Sequence, residues 1–338
     1  MCLIMNYWNS SLIIGKSSFG RFIGSPLDGI TNQPFRTMVR LFSPSALMYT
    51  EICHCNTIVY CEPVVWGLDA GEPYINFQMS AADETFIEAA CERVLAQGVD
   101  MVDINIGCPA RPVISKGAGS ALMGDIKRLE AVIKRFRSCL PGRIMTVKMR
   151  AGFKENNALQ VAQMLEGLGV DALCVHPRLQ TQGFKGEPDY ALVGEIKRQV
   201  SIPVMVSGGI TSFADARRVY EMSGVDGFLI GRALLGKPWI LAQMTAESVG
   251  APWVMPPDYI QDTLFKHLDA AVVWFGPTRG LAYFKKHLKV YLEQLGVGKG
   301  LAIELLKTEC PEDFKQLFCQ YVSVELADKQ HQESNLIY

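Results

Sequence analysis

The sequence predicts an α/β protein, a (β/α)8 TIM barrel followed by a small C-terminal helical domain, on three observations. Eight short apolar runs recur along the chain, each ending in Gly, Pro or polar residues. Several are continuous rather than alternating, the pattern of parallel strands covered on both faces, and amphipathic helical windows separate most of them. After Gly250 the texture changes: Pro252, Pro256 and Pro257 make a linker, and the remainder has helical periodicity with little strand character. The expected domains are an N-terminal extension over 1–20, a barrel over 21–248 and a helical domain over 249–338. An open doubly wound sheet is the other architecture compatible with the alternation.

In chain order, the first strand lies in FIGSPLDG (22–29) and is followed by the helical window NQPFRTMVRLF (32–42). SALMYTEI (45–52) is the second strand, and the connection from Cys53 to Pro73 is the least helix-like of the set. YINFQMS (74–80) precedes the helix ETFIEAACERVLAQ (84–97), and MVDINIGCP (101–109) precedes IKRLEAVIKRFRS (126–138). RIMTVKMRAG (143–152) leads to NALQVAQMLEGLG (157–169), and ALCVHPRLQ (172–180) is the sixth strand. IPVMVSGGI (202–210), the helix SFADARRVYEMSG (212–224) and GFLIGRALLG (227–236) complete the barrel. Beyond the linker, YIQDTLFKHLDAAVVWF (259–275) and TRGLAYFKKHLKVYLEQLG (278–296) read as helices, and the last residues, KQHQESNLIY, as frayed. Residues 1–20 read as a loose extension: LIM and SLII are too short to span a bilayer, and no basic segment precedes them as in a signal peptide.

A chain of 338 residues, 49% apolar and 20% charged with a net charge of −1, has a globular composition. Near neutrality argues against wholesale coating of nucleic acid but permits a local basic patch, since phosphate contacts need only a few Lys and Arg. Ten cysteines lie scattered without a disulfide framework, so a reducing, cytoplasmic location is expected. Cys53-His54-Cys55 and Cys61 have no second C-x2-C pair to complete a zinc site, and no metal is expected. A monomer with no membrane association is expected.

In a barrel, chemistry gathers where strands end and βα loops begin. There the sequence sets Pro26 after the first strand, Gln78 in the third, and Asn105 and Cys108 after the fourth. Lys148 and Arg150 end the fifth, His176 and Arg178 the sixth, Ser207-Gly208-Gly209 the seventh and Gly231-Arg232 the eighth. Glycine-bearing turns after the last two strands let backbone N–H groups approach a phosphate, to which Arg232 adds a cation. Lys148 either snorkels out or points into the barrel mouth; strand parity alone does not choose. If it points in, Arg150 shares its face, and the two cations call for an anionic ligand. Gln78 and Asn105 are amides that could read the edge of a heterocycle.

Taken together, these residues resemble the tRNA-dihydrouridine synthases. The matching pieces are SPLDGITNQPFR (25–36), DINIGCPA (103–110), KGAGSALM (116–123), VKMRAG (147–152), VHPR (175–178), IPVMVSGGI (202–210) and IGRALLGKPW (230–239). FGPTRG (275–280) and KKHLKVYL (285–292) resemble the helical domain of the bacterial members, so the likeness runs from about Phe22 to Leu292. It implies an FMN-containing barrel that reduces a uridine of tRNA, with NADPH as electron donor. Carried over by position, Pro26, Leu27 and Asp28 line the flavin, Gln78 bonds its ring and Lys148 faces its pyrimidine side. Ser207, Gly208, Gly209, Gly231 and Arg232 hold its phosphate, and His176 lies with them. Asn105, Arg150 and Arg178 serve the substrate, and Cys108 is the proton donor.

That role accounts for a cysteine between Gly107 and Pro109. Saturating the uracil C5–C6 bond takes a hydride at C6, here from reduced flavin, and a proton at C5 from the protein. A thiol with an ordinary pKa of about 8.5 is mostly protonated near neutrality yet able to give the proton up. Flipping the uridine out of its stack needs binding energy from elsewhere. Arg279, Lys285, Lys286, Lys289 and Lys299, with His287 and aromatics interleaved, form a patch suited to the tRNA backbone; Arg111 and Lys116 flank the cysteine loop. Four positions depart from the family's usual residues: Leu27 for Met, Pro177 and Leu179 for the Gly and Thr around His-Gly-Arg-Thr, and Ser207 for Asn. Pro177 is expected to stiffen the segment after His176. Rival readings are a flavin oxidoreductase acting on a free pyrimidine, a Schiff-base lysine enzyme using Lys148, and a tRNA-binding homologue without turnover.

Overall fold

The computed structural model describes residues 7–69, 71–251 and 253–321. The eight apolar runs form eight parallel strands: β1 Phe22–Gly24, β2 Met48–Tyr49, β3 Ile75–Ser80, β4 Met101–Asn105, β5 Ile144–Gly152, β6 Ala172–Leu179, β7 Val204–Ser207 and β8 Gly227–Ile230. Each pairs with the next, and β8 pairs with β1, so the sheet closes into a barrel and the open alternative is excluded. A two-residue strand, Cys53–His54, extends the ladder along the end of β3.

A helix follows every strand: α1 Gln33–Phe42, α2 Cys55–Tyr60, α3 Ile87–Leu95, α4 Ile126–Cys139, α5 Ala158–Gly167, α6 Tyr190–Gln199, α7 Phe213–Ser223 and α8 Ile240–Ser248. Asn32, Asp125, Asp189 and Ser212 start α1, α4, α6 and α7, their side chains accepting first-turn N–H groups that the helix leaves unpaired. The connection after β2 holds the short α2 and a 3-10 turn over Pro63–Trp66. Pro177 lies inside β6 rather than in a loop, where the register with β5 slips between Arg150 and Gly152, a place a residue without an N–H can occupy.

Strand alternation sorts the core into two layers. In β5, Val147 and Met149 pack outward in the shell between strands and helices, while Thr146, Lys148 and Arg150 point inward. The inward residues near the strand starts are apolar: Tyr49, Met101, Cys174, Met205 and Leu229. Leu12, Ile14 and Phe19 join them, from an antiparallel hairpin of Leu12–Ile14 and Ser17–Phe19 that turns at Gly15 with φ +56. The expectation of a loose N-terminal extension is therefore corrected over the described part of it. The hairpin plugs the barrel, and before it the Tyr7 hydroxyl donates to the Val225 carbonyl at 2.6 Å. Residues 1–6, and the tail read as frayed, lie outside the described residues.

The chain divides into two compact units, the second comprising Leu235–Pro238 and the described residues from Val254 onward. In that unit α9, Pro257–Phe275, and α10, Pro277–Gln294, are joined by Gly276 alone, and α11, Lys299–Lys307, precedes a helical segment over 311–321. Gly280 lets α10 approach α9: a Cβ there would lie 2.5 Å from the Ala271 carbonyl oxygen. Leu264, Leu268, Phe284, Leu288, Tyr291, Phe314 and Phe318 are buried in this unit. Among the described residues no helix is long and apolar enough to cross a membrane.

If the hairpin is a structural plug, Ile14→Ala lowers the free energy of unfolding by about 2–5 kcal/mol, the range for emptying a fully buried aliphatic site. Urea denaturation followed by circular dichroism measures it, and a dispensable extension would leave the midpoint unmoved.

Candidate active site

The polar inward residues collect at the C-terminal ends of the strands, around a cavity of about 490 Å³. Its lining brings together Pro26, Leu27 and Asp28, Gln78, Asn105 and Cys108, Lys148 and Arg150, His176 and Arg178, and both glycine-bearing turns, Ser207 to Gly209 and Gly231-Arg232. The orientation of Lys148, which parity left open, is into the cavity.

Cys108 is held at both of its backbone groups. Its N–H donates to Asn105 Oδ1 at 2.8 Å, and its carbonyl accepts from Ser120 N at 3.1 Å and Ser120 Oγ at 2.9 Å. The second clamp explains the glycine loop: Gly119 has φ +60, and a Cβ on it would meet the Cys108 carbonyl oxygen at 2.9 Å. Gly107 also has a packing reason, since a Cβ there would lie 3.1 Å from the backbone of Met149 on β5. The thiol is pushed above the ordinary cysteine range by burial, opposed by the Ala110 N–H and by the cations of Lys148 and Arg150. It is therefore a protonated thiol at neutral pH.

Below Cys108 runs a chain of buried polar side chains. Asn105 Nδ2 donates to Gln78 Oε1 at 2.9 Å, Gln78 Nε2 to Asp103 Oδ2 at 2.8 Å, and Thr146 Oγ1 to Asp103 Oδ1 at 2.6 Å. Asn105 is thus engaged with the protein at both ends of its amide.

The two arginines at the strand ends tie loops. Arg150 donates to the Gly107 carbonyl at 2.8 Å and to the Leu179 and Gly183 carbonyls, and Arg178 donates from Nε and Nη2 to the Gly186 carbonyl. Burial lowers the Arg150 pKa to about 10, which leaves it cationic at neutrality. His176 is pushed down to about 2 by burial first and then by Lys148, Arg150 and Arg178, so its ring is neutral. Two buried polar atoms on the lining, His176 Nδ1 and Arg178 Nη1, have no hydrogen-bond partner in another residue, and Ser207 Oγ has only the weakly polar Cys174 thiol beside it. Gly208 and Gly209 have φ +100 and +76, and Cβ atoms on them would press on His176 and Tyr190. At both positions His176 and Tyr190 fill the space where a side chain would stand, so the turn needs glycine both for its backbone and for its packing.

Three predicted substrate residues belong to the helical unit, not to this cavity. Lys286 is exposed, its Nζ 4.4 Å from the Tyr283 ring centre, and Arg279, Lys289 and Lys299 are exposed as well. Lys285 donates to the Leu306 and Thr308 carbonyls, closing the end of α11. His287 requires correction: it is 0% exposed, and its Nδ1 accepts the Gly236 N–H at 3.2 Å, so it cannot touch an RNA surface. It is next to lysines in the chain, but at helical spacing it falls on the buried face of α10 with Phe284, Leu288 and Tyr291.

Two residues went unassigned in the sequence reading. Asp103 is a charge within an apolar strand, and its partners sit on neighbouring strands. Phe184 lies on the lining with its ring 63% exposed, 5.7 Å from the guanidinium carbons of both Arg150 and Arg232. Its signal was a lone aromatic in the polar stretch QTQGFKGEP (180–188).

A family model described as dihydrouridine synthase matches residues 23–322. The chain is 33% identical over 307 residues to the tRNA-dihydrouridine synthase B of Pseudomonas putida, covering 86% of this chain and 88% of that one. It is 30% identical over 327 residues to the probable tRNA-dihydrouridine synthase 1 of Synechocystis, covering 94% and 90%. Among solved structures, a variant of NCR from Zymomonas mobilis superposes with a TM-score of 0.52 at 16% identity, over 75% of this chain and 97% of that one, a likeness of fold.

A raised thiol pKa has a direct consequence. Alkylation of Cys108 by iodoacetamide, followed by peptide mass spectrometry, is slow at neutral pH and accelerates only above the ordinary titration range of cysteine. Rapid labelling at pH 7 would show an activated thiolate instead.

Proposed function

The chain belongs to the dihydrouridine synthase family, and from that premise we propose that it is a cytoplasmic, FMN-dependent tRNA-dihydrouridine synthase drawing electrons from NADPH. The observation that carries the reading is the Cys108 thiol, held by both of its backbone groups on the lining of a cavity whose other walls suit a flavin phosphate and ring. When bound, reduced FMN supplies the hydride to C6 of the uracil.

The residues present fit such a group. The side-chain-free backbone of Gly208 and Gly209 on the lining, the exposed Arg232 and the Ser207 hydroxyl suit a phosphate. Ser207, in place of the family's usual Asn, keeps one donor. Pro26 and Leu27 give the ring an apolar wall, Leu27 in place of Met, with Asp28 beside them, and Gln78 retains a second amide proton for its polar edge. Neutral His176 can accept or donate one hydrogen bond without adding charge. Lys148, on the lining, would offset negative charge on such a ring system.

Cys108 donates the proton at C5. Burial keeps that proton on sulfur at neutral pH, and the clamps from Asn105 and Ser120 fix the backbone that aims it. Arg178, with Nη1 uncommitted, is the cation available to the substrate, whereas Arg150 spends its bonds on the loops around it. Asn105 contributes by holding the cysteine loop and has one remaining amide proton for the base. On the helical unit, Arg279, Lys286, Lys289 and Lys299 meet the tRNA backbone, and Lys285 and His287 serve the fold.

Mapping dihydrouridine in tRNA from a strain lacking this gene, with and without complementation, tests the activity. Free uracil offered beside undermodified tRNA distinguishes the substrate, and purified protein that stays colourless after FMN reconstitution would sink the reading. Cys108→Ala is expected to retain the flavin and its reduction by NADPH while tRNA-dependent reoxidation falls by about 10²–10⁴, the usual contribution of a general acid. Lys286→Ala is expected to weaken tRNA binding and to flatten the log–log salt dependence by about 1, with reduction by NADPH unaffected; an unchanged slope would take Lys286 out of the interface.

A further inference from the structure

We propose that Asp103 is a positioning residue: through Gln78 and Asn105 it sets the hydrogen-bond direction that holds the Cys108 loop. The effect on turnover rests on the thiol reading above; the geometry does not.

Asp103, Gln78 and Thr146 are inward residues of three adjacent strands, β4, β3 and β5, and Asn105 lies two residues along β4. All are buried; Asp103 is 0% exposed. An ionised carboxylate can only accept. Thr146 Oγ1 already accepts from Asn76 Nδ2 at 2.8 Å, so its proton turns to Asp103 Oδ1. Asp103 Oδ2 likewise compels Gln78 to present its NH2. The Gln78 carbonyl oxygen then faces Asn105, which must present its own NH2, and this leaves Asn105 Oδ1 for the N–H groups of Gly107 at 3.1 Å and Cys108 at 2.8 Å. One acceptor-only group deep in the barrel therefore fixes the sense of two amides that could each bond in either direction. If Gln78 turned over, Asn105 would turn with it and set N–H against N–H at Cys108, expelling the loop.

The groups facing Asp103 are Lys148 on β5, Tyr49 on β2 and Cys174 on β6. Burial pushes Tyr49 well above its ordinary value and Cys174 up to about 12, so both are neutral, and Lys148 is the cation that favours the carboxylate. Burial raises Asp103 itself to about 6, with its two hydrogen bonds and Lys148 opposing. The direction of the chain is therefore fixed at neutral pH and released in acid, where a carboxyl O–H can donate.

The test reads the loop, not the reaction. Asp103→Asn is isosteric but can donate, and it is expected to speed hydrogen exchange at the Gly107 and Cys108 amides, and alkylation of Cys108, by roughly 3- to 10-fold, the effect of one weakened hydrogen bond. Adding Gln78→Glu moves the acceptor one residue along: the carboxamide at 103 donates to the carboxylate at 78, which still accepts from Asn105. The double variant is expected to return both rates to within about twofold of the parent. A folded single variant with parental rates, or a double variant that does not recover, overturns the proposal. Should the single variant fail to fold, the unmodified protein decides: protection of the same amides, corrected for intrinsic exchange, is expected to fall as pH drops through about 6, and unchanged protection overturns the inference. In FMN-loaded protein Asp103→Asn should slow tRNA-dependent reoxidation and spare reduction by NADPH. Absence of any tRNA turnover in the parent would instead defeat the proposed function and leave the exchange result standing.

Discussion

A closed barrel has to account for everything that points into it, and the rest of this molecule depends on how that is done. Inward side chains can neither reach solvent freely nor be left unsatisfied. At the strand starts the answer is apolar, with the hairpin's Leu12, Ile14 and Phe19 closing against Met101, Cys174, Met205 and Leu229. At the strand ends it is polar, and there buried side chains bond across neighbouring strands and to the loops. The plug frees the other end of the same interior for chemistry, because the barrel's stability does not then require apolar residues throughout.

Within the polar half, satisfied and unsatisfied atoms divide the labour. Asn76, Thr146, Asp103, Gln78 and Asn105 bond to one another and end on the backbone of the cysteine loop. Arg150 and Arg178 end on loop carbonyls. These bonds make the rim rigid without occupying the cavity. His176 Nδ1 and Arg178 Nη1 lack such partners, and they line the space where a ligand would supply what the protein does not. Buried arginine has the same structural use elsewhere in the barrel: Arg36, 0% exposed, bonds Glu72 and the Thr31 and Gly67 carbonyls.

The balance of charge follows from this economy. A net charge of −1 would suggest little for an RNA partner, yet cations are concentrated on one stretch of α10 and its flanks. Some of those cations serve the fold. Lys285 closes a helix end, so the number available to a polyanion is smaller than a count of basic residues implies.

The sequence by itself determined the alternation of strand and helix, the order of the barrel, the helical unit after the proline linker and the set of residues at the strand ends. Those properties are local: runs of apolar residues, 3.6-residue periodicity, capping residues and glycine turns leave their mark within a few positions. It did not determine direction or partnership. Lys148 could face either way because parity in a strand buried on both sides carries no preference. The three-residue strands of the hairpin, Leu12–Ile14 and Ser17–Phe19, are too short to announce themselves, and what makes them a plug is the barrel interior they fill. His287 stands among basic residues in the chain, and the packing of α10 put it inside with Phe284, Leu288 and Tyr291. Asp103 was visible, but its meaning was not, because its partners stand 25 and 43 residues away on adjacent strands. Hydrogen bonds of that kind exist only once the sheet has closed and set those side chains within 3 Å of one another.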